Sequence, residues 1–282
     1  HRPLDRPSRA GAGTPLAMDG RDIRGAPGQT GDGRRMTVAA AGHGTGLVLR
    51  QAGVADRSNG IPAVRDLAGS PGVTGRTVTM DAMHARHGTA RSLPGRRAGH
   101  PVTAARDNQE TIHDDLRATG FTGAPWHETV DRGHGRPGRR RCAAVDLTGA
   151  ERDGQSALHG RRQAIRAGRG REVPRTGGHS PGVTWCLTSL GPDRAGPEEL
   201  LELVRNHWTM ENRVHHLRDF TCDGDRCRAH VRNLPRSLSC LTDAAIAIVR
   251  CDGRFGHIPE ANRHQSARAQ EAPGLVLDPP GP

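Results

Sequence analysis

Large apolar side chains are scarce in this chain, and that scarcity limits what it can fold into. Leu, Ile, Val and Phe together make up roughly one residue in six, a level at which disorder becomes a live reading. Only 3 phenylalanines and 3 tryptophans occur among 282 residues, with no tyrosine. Any core must therefore be thin and rich in Val, Leu and Ala. The length still accommodates one large domain or two small ones. No run approaches the ~20 apolar residues of a membrane span, so no membrane partner is expected.

Charge narrows the partners. The formal net charge is +11, and with no lysine present all 41 basic side chains are arginine. Arginine holds its charge at any working pH and forks onto phosphate oxygens. A basic excess of this size fits a polyanion, most simply nucleic acid. Codon usage in a high-GC genome also favours Arg over Lys, but it does not explain the excess of base over acid. The six cysteines are scattered behind no signal peptide, which fits a reduced, cytoplasmic setting rather than a disulfide framework. The chain opens on His1 rather than Met, as a fragment would.

Organisation follows from local pattern. Residues 1–14 are polar with Pro and Gly and read as a tail or linker. "PLAMDGRDIRG" predicts a short strand ending at Asp19-Gly20. "RMTVAAAG" and "GLVLRQAGVA" predict a hairpin split by His43-Gly44-Thr45-Gly46. "IPAVRDLAG" predicts a short helix, and "GRTVTMDAM" a strand that delivers Asp81 near its end. "HARHGTARSL" and "NQETIHDDLRAT" read as helices, with "HPVTAA" a weak strand between them. This order predicts an α/β protein with a mixed sheet covered by helices, its first part spanning residues 15–125. Residues 126–190 lose helical spacing and read as an arginine-loaded β insertion. Residues 191–251 carry the final helices, "GPEELLELVRNHWTMENRVHHLRDF" and "LSCLTDAAIAIVR", and residues 252–282 read as a disordered tail.

The long helix poses a physical problem. Leu200, Val204, Trp208, Glu211, His215 and Arg218 share one stripe at helical spacing. A carboxylate on an apolar stripe is costly unless a cation or metal pairs with it. A salt bridge from Glu211 to Arg218 or another arginine is the plain answer. Two aspartates offer another. If the first and fourth strands are parallel neighbours, Asp19 and Asp81 emerge side by side. Each also has an ordinary role, Asp19 in an Asp-Gly turn and Asp81 as a helix cap. Together with Glu211 they put three carboxylates on one scaffold, a donor set that suits Mg²⁺ or Mn²⁺.

The stretches "LAMDGRDIRGA", "GRTVTMDAMHARHGTA", "RDNQETIHDDL", "HETVDRGHGR", "VTWCLTSL" and "LLELVRNHWTMENRVHHLRD" occur in that order across roughly residues 15 to 251. In these the chain resembles the DDE transposases of bacterial insertion sequences, in particular the branch with the H-repeat-associated proteins. The resemblance implies an RNase H-like mixed sheet flanked by helices, with a β-rich insertion before the last catalytic helix. It implies Asp19, Asp81 and Glu211 as the catalytic and metal-holding trio, with two Mg²⁺ (or Mn²⁺) ions roughly 4 Å apart. The implied reaction is cleavage of double-stranded DNA at transposon ends, followed by strand transfer to target DNA. A homodimer on DNA is the implied assembly, in a bacterial cytoplasm and at the nucleoid. Arg218 falls where similar transposases place a basic residue against the DNA backbone. Asn212 matches the family's Glu-Asn pair, and His134 and Arg136 match its "HGR", so all of these are expected at the DNA.

The departures are specific. Arg106-Asp107-Asn108-Gln109 stands where relatives usually read Lys-Gly-Asn-Gln. His216 replaces a tryptophan, Trp185 replaces a tyrosine, and the helical region before the first aspartate is essentially missing. A decayed, inactive remnant that only binds DNA non-specifically is the alternative these departures raise. Arg139, Arg140 and Arg141 are either phosphate contacts or a solvated charge run, and the tryptophans read as core. Cys222 and Cys227 lack a second tight pair, so structural zinc is not favoured.

Overall fold

The computed structural model describes residues 13–27, 34–54, 60–81, 99–105, 110–133, 136–148, 161–172, 179–229 and 231–277. In chain order its elements are β1 (Leu16–Pro27), β2 (Arg34–Gly42), β3 (Val48–Gly53), α1 (Ile61–Ala68), β4 (Thr77–Met80) and β5 (His100–Ala105). Then come α2 (Glu110–Ala118), β6 (Trp126–Gly133), β7 (Arg136–Asp146), β8 (Gln163–Glu172), β9 (His179–Thr188) and α3 (Pro197–His207). Two π-helical turns follow, Glu211–His215 and Leu217–Thr221, and then α4 (Leu234–Asp252), α5 (Ile258–Ala267) and α6 (Ala272–Leu277). The chain divides into two compact units, residues 1–18 with 68–208, and residues 19–67 with 209–282.

In the first unit the strand order is β1-β4-β5-β9-β8-β7-β6. β1, β4 and β5 run parallel, and every pairing from β5–β9 outward is antiparallel. The sheet is therefore mixed, as the order of strands and helices over residues 15–125 predicts. Alternation sends neighbouring residues to opposite faces. Ile165 and Cys186 join Val102, Cys142, Leu200, Leu201 and Leu203 in one core cluster. Their neighbours Ala164 and Leu187 join Ile112 and Leu116 of α2 in another. The sheet thus carries α3 on one face and α2 on the other. Cys142 and Cys186 act as small core hydrophobes, and burial pushes both thiols up to about 12.

Local chemistry explains how α3 starts. Pro197 occupies its first turn, and the Gly196 N–H donates to Glu199 Oε2 at 3.0 Å. Glu198 and Glu199 complement the positive end of the helix dipole. Just before it, buried Gln163 donates to the carbonyls of Leu190 and Ala195, both at 3.0 Å. These bonds pin the loop that enters the helix.

In the second unit the strand order is β3-β2-β1, with β1 contributing from Asp19 onward. β2 and β3 form the predicted hairpin, and Gly44 (φ +77°) and Gly46 (φ +64°) supply the left-handed turn. α4 is tied to this hairpin through Gln51 Nε2, which donates to Ser239 Oγ at 3.0 Å, and Arg236 Nη2, which donates to the Val54 carbonyl at 2.6 Å. The core of this unit includes Val38, Val64, Met210, Val214 and Ile246.

Several expectations need correction. β1 does not end at Asp19-Gly20 but runs to Pro27, so Asp19 lies inside a strand rather than in a turn. The long helix is regular to His207, breaks at Trp208, and after Thr209 and Met210 widens into i→i+5 turns. Residues 258–267 and 272–277, expected to be disordered, are helical and bury Ile258, Ala261 and Leu275. Pro259 in the first turn of α5 is a start signal that weighed less than the polar composition around it. Trp126 and Trp208 are 58% and 64% exposed rather than core, while Trp185 packs against Phe121 with ring centroids 5.5 Å apart. The predicted helix over 84–93 and the Arg106–Gln109 stretch lie outside the described residues. Among the described residues no helix is long and apolar enough to cross a membrane.

Candidate active site

The site begins with strand alternation. Asp19 and Arg21 lie two apart on β1 and so point to the same side. Asp19 Oδ2 lies 3.1 Å from His215 Nε2, across 196 residues of sequence. An ionised carboxylate only accepts, so the imidazole nitrogen donates. The Gly20 N–H donates to Asp19 Oδ1 at 2.8 Å. Arg21 reaches further along the same segment. It donates from Nη1 to the His215 carbonyl at 3.2 Å and from Nη2 to Asp225 Oδ1 at 3.0 Å, and it also pairs with Asp219. One strand therefore holds the π-helical segment by two side chains on one face.

Glu211 opens that segment. One ligand atom from each of Asp19, Glu211 and His215 can be chosen so that all three lie within 4.8 Å of one another. The three are graded by depth, with Glu211 exposed, Asp19 part-buried and His215 only 5% exposed. This settles the problem posed by the stripe. Glu211 sits at the solvent rim, so its carboxylate carries no burial cost. The segment that Glu211 opens is built of π turns: the His216 N–H bonds back to the Glu211 carbonyl and the Cys222 N–H to that of Leu217. π turns are frequent at functional sites.

Asp81 belongs to the first unit and is half-buried at the end of β4. Its placement follows from register. Met18 pairs with Met80 in the parallel β1–β4 ladder, and the two aspartates are the residues that follow that pair.

The expected DNA contacts divide. Arg218 corrects the sequence reading outright. It is 6% exposed and fully engaged by Asp243, with Nε donating to Oδ1 at 2.6 Å and Nη2 pairing with Oδ2. Among the described residues it forms no ion pair with Glu211. Asn212 is exposed beside Glu211. Arg136 opens β7 opposite Gly133, and His134 lies outside the described residues. Arg139 and Arg141 project from β7 with side chains 67% and 59% exposed, both salt-bridged to Glu128. Arg141 also stacks over Trp126 at 4.4 Å from the ring centroid. Arg140 instead faces Asp131, at 3.2 Å.

Sequence reasoning singled out neither His215 nor Arg21 for the site. Both had a usable signal: His215 lies four residues after Glu211, and Arg21 two after Asp19.

A large mixed sheet flanked by helices defines an α/β protein of the RNase H-like kind. The family model described as "Transposase DDE domain" matches residues 11–238, and the chain belongs to that family. It is a transposase-family enzyme, whose substrate is DNA and whose family uses divalent metal ions. No match emerges among curated proteins.

Proposed function

We propose that this chain cuts DNA at insertion-sequence ends and transfers the freed strand to target DNA, with Asp19, Asp81 and Glu211 holding the ions. The observation that carries this reading is the convergence of Asp19 and Glu211 beside His215. Asp81 is the third member because it follows Met80, the parallel partner of Met18.

The donor set fits a hard divalent cation. Carboxylate oxygens suit Mg²⁺ or Mn²⁺, which keep remaining positions for water and phosphate. Two such ions would polarise the phosphodiester, lower the pKa of an attacking water and stabilise the leaving oxygen. The protein's share is to fix the carboxylates. Asp19 is held through both oxygens, by Gly20 and His215, on a strand. Glu211 at the rim is open to an incoming backbone. Arg139 and Arg141 offer exposed guanidinium groups for phosphates.

A cleavage assay tests the reading. The protein is incubated with Mn²⁺ and DNA bearing the element's ends, and nicking is followed on a denaturing gel. Wild type is expected to cut, and Asp19→Asn, Asp81→Asn and Glu211→Gln are each expected to abolish cutting. Equal cutting by wild type and Asp19→Asn refutes the assignment.

A further inference from the structure

His215 has no part in the trio, yet it is the most buried member of the cluster. Its Nε2 faces Asp19 Oδ2 at 3.1 Å, and its carbonyl accepts from Arg21 Nη1 at 3.2 Å. The other ring nitrogen, Nδ1, is buried and has no hydrogen-bond partner among the described residues. That detail separates two roles. A histidine that ligates a metal almost always donates its second ring N–H to an acceptor, which fixes the ring. Nδ1 has no such acceptor, so the ring is not set up to ligate through Nε2. With the proton on Nε2 instead, the ring makes one side-chain hydrogen bond, and Asp19 receives it.

We propose that His215 is the positioning residue for Asp19, a role that rests on Asp19 being a metal-holding carboxylate. Donation from Nε2 to Oδ2, opposed by the Gly20 N–H on Oδ1 at 2.8 Å, fixes the plane of the carboxylate before any ion arrives. Arg21, on the same face of β1 as Asp19, holds the His215 backbone in place. A carboxylate prepared in this way binds an ion without first losing rotamer freedom.

Mn²⁺ binding to the full chain, without DNA, tests this by calorimetry and by the electron paramagnetic resonance of the ion. His215→Leu keeps an apolar side chain in the buried site and removes the donor. It is expected to weaken Mn²⁺ binding by about 10–100-fold, the usual cost of losing an outer-shell partner. His215→Gln can place an amide N–H near the Nε2 position and is expected to bind close to wild type. His215→Asn is polar but too short to reach, and is expected to bind as weakly as the leucine variant, which keeps the comparison decisive should the leucine variant not fold. Wild-type affinity in the leucine or asparagine variant overturns the proposal, as does a glutamine variant as weak as they are. A nitrogen coupling to bound Mn²⁺ that disappears in His215→Gln also overturns it, because the imidazole would then be a ligand. A wild-type chain that binds no Mn²⁺ defeats the reading of Asp19 itself, and the proposal with it.

Discussion

Removing Asp243 should unfold the protein more readily while leaving DNA contacts intact, the reverse of what the sequence predicts for its partner Arg218. Both groups are buried, at 9% and 6% exposure, and meet through Nε–Oδ1 at 2.6 Å and a second Nη2–Oδ2 contact. Each hydrogen bond to a charged group is worth about 1.5–3 kcal/mol. Truncating one partner of such a pair leaves an uncompensated buried charge, at a cost of about 3–5 kcal/mol. Asp243→Ala is therefore expected to lose that much in urea denaturation followed by circular dichroism, a large fraction of the ~5–15 kcal/mol that holds a typical domain. Hydrogen exchange should place the loss in α4 and the π-helical turns. The double variant Arg218→Met/Asp243→Leu removes both charges and should recover most of the stability. A cost below about 1 kcal/mol for Asp243→Ala refutes the buried pair, given the scale of such losses. Arg218→Ala that weakens DNA binding with stability unchanged would restore Arg218 to the DNA backbone.

Three further outcomes are expected. Gln163→Leu leaves the buried carbonyls of Leu190 and Ala195 without their donor, at about 1–3 kcal/mol for each, measurable by the same denaturation. Burial first, and then the Arg194 charge, lower the His100 pKa from its ordinary 6.5. The folded state thus favours the neutral ring, so its stabilising share is full above the unfolded pKa and is lost as pH falls through the folded one. Stability measured downward from pH 7 should drop below about 6.5, and His100→Gln should flatten that drop. Arg139→Ala/Arg141→Ala should weaken DNA binding across sequences and lower the slope of log affinity against log salt by about 2, since each phosphate contact contributes about 0.9. An unchanged slope would leave these two arginines as a solvated run held by Glu128.

What the sequence made legible is what neighbours in the chain decide. The β2–β3 hairpin follows from glycines at positive φ between apolar runs, and the start of α3 from Pro197 with two acids behind it. The parallel β1–β4 pairing, and with it the placement of Asp19 and Asp81 after Met18 and Met80, was reached by assuming a topology, and the register bears the assumption out. The rest depends on partners far apart. Arg218 finds Asp243 25 residues away, and His215 finds Asp19 196 residues away. No periodicity encodes either choice. The stripe from Leu200 to Arg218 breaks first at Trp208, which caps α3 and is 64% exposed, ahead of the i→i+5 turns. Within these turns Glu211 lies at solvent while His215 and Arg218 lie inside. The same side chains then take separate tasks: a rim carboxylate, a buried donor to Asp19, and a buried cation that holds α4. Glu211 and His215 both sit in the π-helical segment, which β1 grips through Asp19 and Arg21.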